Sequence, residues 1–568
     1  MQSPSSEEQI SASTWPDPAR DQLTAPGAPF ELHEITLDGR RLRAFRNAPR
    51  SLGTIFQEAA CHGDRICLTG LDYSLTYAEV LRRAAILKGE LEAAGLAQGM
   101  RCAVAMHNRP EWVIGFIAIA ALGATPVLIN YRASPAELAS AIAETESAGL
   151  IAEPEIVARL APDSVVRERL WLTAGSDVFP KAAVLPDLFE SAAAPALDPV
   201  IQEPEDEGVI IFTSGTSGHP KGALISHLAL MNMAAAIDYA TLYGAAQAGM
   251  DIAALAKMAA QSQPSAMLVF PLFHTAGVIA VLLPNLRRGG KMVMLERWRV
   301  EDALTLLERE KVSGFSGSPA MLWDLLKAER KDRDLSSLRF LSIGGQGISM
   351  RLLDELRAGF PGLSVGIGYG QTETGSVNGI SGANLIQRPT ATGRPLPIVD
   401  LRIVDEEYAD VPPGEVGEIL VGGVTTMRGY CRRPAETAEV MHDGYIATGD
   451  LGRIDEDGYL HISDRKKNIV LCGGENIGCG EVEDAAVSHP EVEQAVAFGR
   501  PDDRLGETLH LAIIPADGCD PDPEAVQAHI GGQLARYKIP RSVHRVDGFP
   551  MNAMGKADRR ALAAKFKE

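Results

Sequence analysis

Between Thr76 and Ala152 the sequence alternates between two periodicities, and this limits the fold more than any other feature. Thr76-Tyr77-Ala78-Glu79 has the form of a capping box, which ties up the orphan N–H groups at a helix start. Val80, Leu81, Ala84, Leu87 and Leu91 then recur at helical spacing until Gly95 ends the run. Residues 102–106 read as a buried strand, and a second capping box, Ser134-Pro135-Ala136-Glu137, starts another helix before a strand at 149–152. The apolar stretch 112–129 is broken by Gly123 and Pro126 and is opened by Asn108-Arg109-Pro110-Glu111. A membrane span needs ~20 unbroken apolar residues, so this stretch reads as a helix over 110–122 followed by a strand over 124–129. Strands alternating with helices imply parallel sheets covered by helices, an α/β fold. A second such series begins at 208–212 and continues through 267–270 and 338–343.

After Gly393 short β-type runs dominate, at 401–404, 418–421 and 459–462, separated by Gly, Pro and Asp. They suggest antiparallel strands in a small β-barrel subdomain over about 393–464. Beyond the charged junction Asp464-Arg465-Lys466-Lys467, helical patterns at 481–487 and 523–534 and strands at 492–498 and 509–514 make a small α+β unit. The expected division is therefore an N-terminal arm and lead-in over 1–48, loose over its first 21 residues, a large domain over 49–464, a junction at 465–467 and a small domain over 468–568. A chain of 568 residues is long enough for three or four such units.

Charge narrows the partners. Fifty-four basic against 74 acidic side chains give a formal charge of −20, which argues against nucleic acid and against an anionic membrane surface. Seven scattered cysteines form no CxxC pair, so neither a zinc site nor a disulfide framework is expected and a reducing, cytoplasmic compartment is favoured. The polar, Pro/Ser-rich first 21 residues lack the pattern of a signal peptide. The sequence leaves room for a homodimer.

Thr213-Ser214-Gly215-Thr216-Ser217-Gly218-His219-Pro220-Lys221-Gly222 directly follows the 209–212 strand. Gly215 and Gly218, four hydroxyls and a lysine suit a polyphosphate; a solvated Ser/Gly loop is the plain alternative. The pattern is not a Walker A loop, because Pro220 and Gly222 stand where that motif needs Gly and Ser/Thr. Nor do Gly366, Gly368 and Gly370 make a dinucleotide fingerprint, since their spacing is GxGxG.

With further motifs in order, the segment resembles the phosphate loop of the adenylate-forming superfamily of acyl-CoA synthetases, luciferases and peptide-synthetase adenylation domains. These motifs are Gly368-Tyr369-Gly370-Gln371-Thr372-Glu373, Thr448-Gly449-Asp450, Arg465-Lys466-Lys467, Gly473-Gly474-Glu475-Asn476 and Gly555-Lys556. The resemblance implies a large domain and a mobile C-terminal domain. It also implies an ATP-dependent reaction that joins a carboxylate to AMP, releases pyrophosphate and passes the acyl group to coenzyme A. Lys556 would contact the carboxylate and α-phosphate, where preorganised positive charge is most effective. Glu373 would bind Mg2+, Thr372 the phosphate, and Tyr369 would stack on adenine. Thr213, Ser214, Gly215, Thr216, Ser217 and Lys221 would hold phosphates. Gly345, Gln346 and Gly347 would border adenine, although the common Ala/Glu-Pro pair is Gln346-Gly347 here. Asp450, Ile462 and Arg465 complete the implied nucleotide site. Lys467 would be the hinge, and Gly473 and Gly474 would line the thiol tunnel. Two positions depart from the family pattern: Asn468 replaces an Asp after the hinge, and Gly478-Cys479-Gly480 replaces a Tyr/Ser-Pro pair.

For the acid, His274 is implied at the gate, with Gly317, Gly345 and Gly370 along the pocket. Acetate-activating relatives place Trp where Gly370 stands, so an open pocket is expected, with Ser313, Gly314, Ser316, Gly317 and Ser318 a wall of little bulk. No Asp for an amino-acid amine is visible near 278–283. The expectation is a bulky apolar acid: medium- or long-chain fatty, aryl-alkanoic or polycyclic. A longer than usual segment, 243–265, is expected to form a helix with a break at Pro264 and to lid the tunnel, contact a partner, or do neither. Alternatives are a fatty acyl-AMP ligase or carrier-protein loader, and a non-catalytic nucleotide-binding scaffold.

Overall fold

The computed structural model describes residues 10–11, 15–160, 169–175, 182–190, 196–213, 220–252, 254, 263–344, 348–472, 475–502, 505–551 and 556–566. The first alternating series forms an eight-stranded sheet. Arg101–Ala105 lies between Gly149–Ala152 and Thr125–Leu128, all parallel, and Glu207–Thr213 continues the parallel set. Lys221–Ser226 then returns antiparallel, with Thr213 opposite Lys221. The phosphate-loop segment is thus the turn of a hairpin whose ends are fixed by pairing. Both expected capping boxes are present, at Thr76/Glu79 and Ser134/Glu137. The Pro110–Ala121 helix buries every side chain from Trp112 to Ala121, which explains its unbroken hydrophobicity without a bilayer. No described helix is long and apolar enough to cross a membrane.

The second series makes the parallel part of a fifteen-stranded sheet: Ser265–Leu268, Gly314–Gly317, Phe340–Gly344 and Ser364–Gln371. Gly375–Ser381 turns back antiparallel and leads through Ala391–Pro395 into the strands expected after Gly393. Their ladder runs Leu460–Arg465, Tyr445–Ile454, Gly417–Gly423, Val399–Val404, and ends at Ile10–Ser11.

That last pairing corrects the loose arm. Ile10 pairs with Leu401 through the backbone. The Pro18–Thr24 helix, capped by Asp17, inserts Leu23 among Phe30, Phe45 and Tyr239. Two paired residues and one buried leucine make no visible pattern, so the polar composition conceals a docked segment.

The C-terminal unit has its own five-stranded sheet and its own apolar core, around Val482, Leu511, Ile513 and Val526. It sits against the large unit through the Lys327–Glu493 ion pair (2.7 Å) and the Arg351 guanidinium, which donates to the Val492 carbonyl at 3.1 Å. The Asp464 carboxylate, at the end of the large unit, accepts from the Gly480 N–H at 2.7 Å.

Candidate active site

A cavity of about 1570 Å³ opens where the two main sheets and the C-terminal unit meet. Thr213, Lys221, Thr372, Glu373, Arg465 and Lys556 all line it, together with His274, Tyr369 and Gly370. Residues from five separate sequence motifs are thereby brought to one chamber. Ser214, Gly215, Thr216, Ser217, Gly345, Gln346, Gly347, Gly473 and Gly474 lie outside the described residues, as does the side chain of Lys467. The Lys467 backbone lies in the short Lys466–Asn468 turn that follows Arg465.

Two cations bracket the chamber. Lys221 is 7% exposed and holds its ammonium 5.1 Å from the centre of the Tyr430 ring. The Tyr430 hydroxyl donates to Glu373 Oε1 at 2.8 Å. Tyr430 therefore supports a phosphate-binding cation on its face and a carboxylate at its edge. Its phenol is pushed well above the ordinary range, first by burial and then by the Glu373 charge. Glu373 is an oxygen ligand of the kind a hard divalent cation takes, so the donor set fits Mg2+.

Lys556, the second cation, comes from the C-terminal unit and lies close enough to His274 to depress its pKa. Burial is the larger cause, and together they bring the His274 imidazole down to about 4. A neutral imidazole beside an ammonium is consistent with a site that must accept an anion there.

Asp450, 3% exposed, is held on both oxygens: Oδ2 accepts from Tyr369 (2.8 Å) and Gln371 (2.7 Å), and Oδ1 meets Arg465 at 2.9 Å. Tyr369 is thus anchored by its hydroxyl, and its ring is left to face the chamber. Gln371 was missed by sequence reasoning, as was Tyr430; in a strand of only two residues, Gly429–Tyr430, the latter offers no periodic signal.

Four placements differ from expectation. Asp450 does not itself line the chamber, its two oxygens being taken up by Tyr369, Gln371 and Arg465. Ile462 does not line the chamber; it packs on the apolar cluster that contains Leu460 and Ile419. Gly317 faces the opposite side of the sheet, where an added Cβ would stand 2.7 Å from the Phe315 ring. Gly370 borders the chamber, but an added Cβ would meet the Gly375 carbonyl oxygen at 2.2 Å. Close backbone approach, rather than an open pocket, requires that glycine.

The room for an acid arises elsewhere. Along Ser364–Gln371, Ser364, Gly366, Gly368 and Gly370 all line the cavity, one face of a strand. Neighbouring strands add Ser342, Ser316 and Gly314, in register with Gly366, Ser342 and Phe340 respectively. An added Cβ at Gly314 would meet nothing within 4 Å. Opposite this floor, the His227–Gln247 helix presents Ile237, Ala240, Thr241, Gly244 and Ala245, the i, i+3, i+4 stripe of one helix face. Mostly small residues on floor and roof, with the Phe340 ring lying against Gly366 toward the far end, leave a slot whose length, six strand steps of ~3.3 Å, is ~20 Å. Tyr243, Gly244, Gln247 and Met250 of the long 243–265 segment form part of its wall.

A second, smaller recess of about 430 Å³ adjoins the chamber and shares Tyr131, Arg132 and Arg297 with it; His107, Arg159, Glu155 and Ile156 complete its lining, which is basic on balance. Nearby, His107, Glu153 and Glu296 lie close together, but Arg109 already pairs with both carboxylates at 2.8 and 3.0 Å. That cluster is an ion-pair network.

The family model of AMP-binding enzymes matches residues 55–431, and that of the AMP-binding enzyme C-terminal domain matches 481–556. A feruloyl-CoA synthase from Amycolatopsis sp is 34% identical over 506 residues, spanning 87% of this chain and 94% of that protein. A long-chain-fatty-acid–CoA ligase from Bacillus subtilis is 29% identical over 576 residues, spanning 94% of this chain and 96% of its own length. Among solved structures, ATP-bound MatB from Rhodopseudomonas palustris superposes with a TM-score of 0.78 at 26% identity, over 90% of this chain and 99% of that one. With two thirds of the chain in one family model and its charged motifs gathered in one chamber, the protein belongs to the AMP-binding enzyme family, as an AMP-forming acid–thiol ligase.

Proposed function

We propose that this enzyme activates a long or bulky apolar carboxylic acid as its acyl-adenylate and transfers the acyl group to coenzyme A. One observation carries the reading: Lys556 and His274 both line the chamber, and a ~20 Å slot floored mostly by Gly and Ser leads away from it. In the first step an oxygen of the acid carboxylate attacks the α-phosphorus of ATP, and pyrophosphate leaves. Lys556 neutralises the negative charge that gathers between carboxylate and α-phosphate, and Lys221 holds the phosphates. Glu373, steadied by Tyr430, would hold the Mg2+, which supplies further charge neutralisation on the phosphates. Tyr369 offers its ring to adenine, and Arg465, paired with Asp450, reaches the ribose or phosphate. Neutral His274 stands at the entrance to the acyl slot.

In the second step the thiol sulfur attacks the acyl carbon and AMP leaves. The basic recess of Arg132, Arg159, Arg297 and His107 suits the phosphates of coenzyme A on a protein otherwise strongly acidic. The division at 464/465, with 465–467 as hinge, would let the C-terminal unit withdraw Lys556 and bring Gly473 and Gly474 to the thiol. The feruloyl and long-chain relatives support an apolar acid of either shape. The test is acid-dependent pyrophosphate release over C2 to C18 and aryl acids, with and without coenzyme A. Acyl-CoA formed from long or aryl acids, with poor use of acetate, is expected. Pyrophosphate and acyl-AMP without any thioester would instead favour a carrier-protein loader, and no acid-dependent release at all would reject the reading.

A further inference from the structure

The slot does not end on an apolar wall. Its far end lies at the beginning of the Ser265–Leu268 strand, which is also where the Leu283–Arg288 helix ends: the Gln263 side chain donates to the Gly289 carbonyl at 3.0 Å. Arg288 lines the cavity there. It stands fourteen residues beyond His274 on a helical path, ~20 Å at 1.5 Å per residue, which agrees with the length along the strand. Two properties of Arg288 belong together. Its side chain keeps 38% of its surface open, yet burial pulls its pKa down to about 10. A group surrounded by protein but still accessible faces an internal void, and at neutral pH it remains charged.

Its partners are few. Among the described residues the guanidinium meets only Asp238, on the facing His227–Gln247 helix. Asp238 is itself 9% exposed and is shared with Arg287 at 3.2 Å. A guanidinium carries five N–H donors, so one carboxylate, already divided between two arginines, leaves donors for a ligand in the cavity that Arg288 lines. An apolar chain end arriving there would leave them unmet, whereas an acceptor would complete them.

We propose that Arg288, seated on Asp238, binds an anionic or carbonyl acceptor at the end of the substrate remote from the reacting carboxylate. The preferred substrates are then long acids with a second acidic or oxo group. This rests on the acyl-slot reading and deepens it. A ~20 Å slot corresponds to ~16 chain bonds at ~1.2 Å each.

The experiment compares hexadecanoic with hexadecanedioic acid by pyrophosphate release from the full-length enzyme, for wild type, Arg288→Met and Arg288→Lys. Wild type should favour the diacid by at least about tenfold in kcat/KM, the range of a charged hydrogen bond. Arg288→Met should lose about 10- to 100-fold with the diacid while keeping or improving the monoacid. Arg288→Lys, which keeps the charge without the planar fork, should fall between, and it serves alone if the methionine variant does not fold. A wild type that prefers the monoacid, or variants that lower both acids equally, would overturn the role of Arg288 and leave the slot standing. Failure of both acids alongside turnover of a short aryl acid would remove the slot reading itself, and this inference with it.

Discussion

Gly314→Leu tests the slot directly. A side chain at this position enters open space, since an added Cβ meets no atom within 4 Å, so the fold should tolerate it. Gly314 pairs with Phe340, and Phe340 with Ser364, which sets the level of the slot it blocks. That is the far end of the six-step floor, so a leucine there takes up only about its last step, ~3.3 Å, equivalent to two or three methylenes at ~1.2 Å per bond. Each buried methylene contributes ~0.8 kcal/mol, so a sixteen-carbon acid should lose about 2 kcal/mol of binding in the transition state, roughly thirtyfold in kcat/KM. Acids of about twelve carbons or fewer should be little changed, because the remaining ~17 Å still accommodates them. The assay is initial-rate pyrophosphate release across saturated acids of graded length. A length profile that superimposes on wild type, or that drops by one factor at every length, would refute the placement of the acid along this floor. Gly370→Ala is the contrast: its Cβ strikes a backbone oxygen at 2.2 Å, so activity should fall with every acid alike.

Lys556→Ala should lower acyl-adenylate formation ~10²–10³-fold, as loss of a preorganised charge donor does, while ATP binding, read by calorimetry, stays near wild type. Tyr430→Phe keeps the ring beneath Lys221 but removes the hydrogen bond to Glu373; the Mg2+ concentration for half-maximal rate should rise up to about tenfold, and an unchanged titration would deny Tyr430 its positioning role. His227, whose Nδ1 accepts from the Leu52 N–H, is held neutral by burial with a pKa near 4 rather than 6.5. The unfolded chain therefore binds the extra proton between those values, so stability is full above pH 6.5 and declines as pH falls toward 4. His227→Asn should flatten the melting temperature over that window, and parallel curves for variant and wild type would assign the acid sensitivity elsewhere.

Contiguity decided what could be read from the sequence. Lys221, Glu373, Arg465 and Lys556 sit in short runs of unusual composition, and all four reach the chamber. The helices with capping boxes were legible because their signals lie within four residues. Tyr430, Gln371 and Arg288 were not, since each acquires its partner from residues far off in the chain, and no local pattern marks such pairings. Gly317 and Gly370 were read from motif position as pocket residues. Strand alternation turns the first to the other face, and a backbone oxygen accounts for the second. The wall-forming glycine is Gly314, whose sequence surroundings resemble those of Gly317 and differ only in the parity of its position on the strand.

The docked leading segment has a practical corollary. Trp15, Asp17 and Arg20 border the reaction chamber, and Asp17 links to Tyr243 and Arg394, which also border it. Trimming those residues to tidy a ragged terminus for expression or crystallisation would breach the vessel in which the acid is handled, and a preparation shortened that way would report on a leakier enzyme than the cell makes.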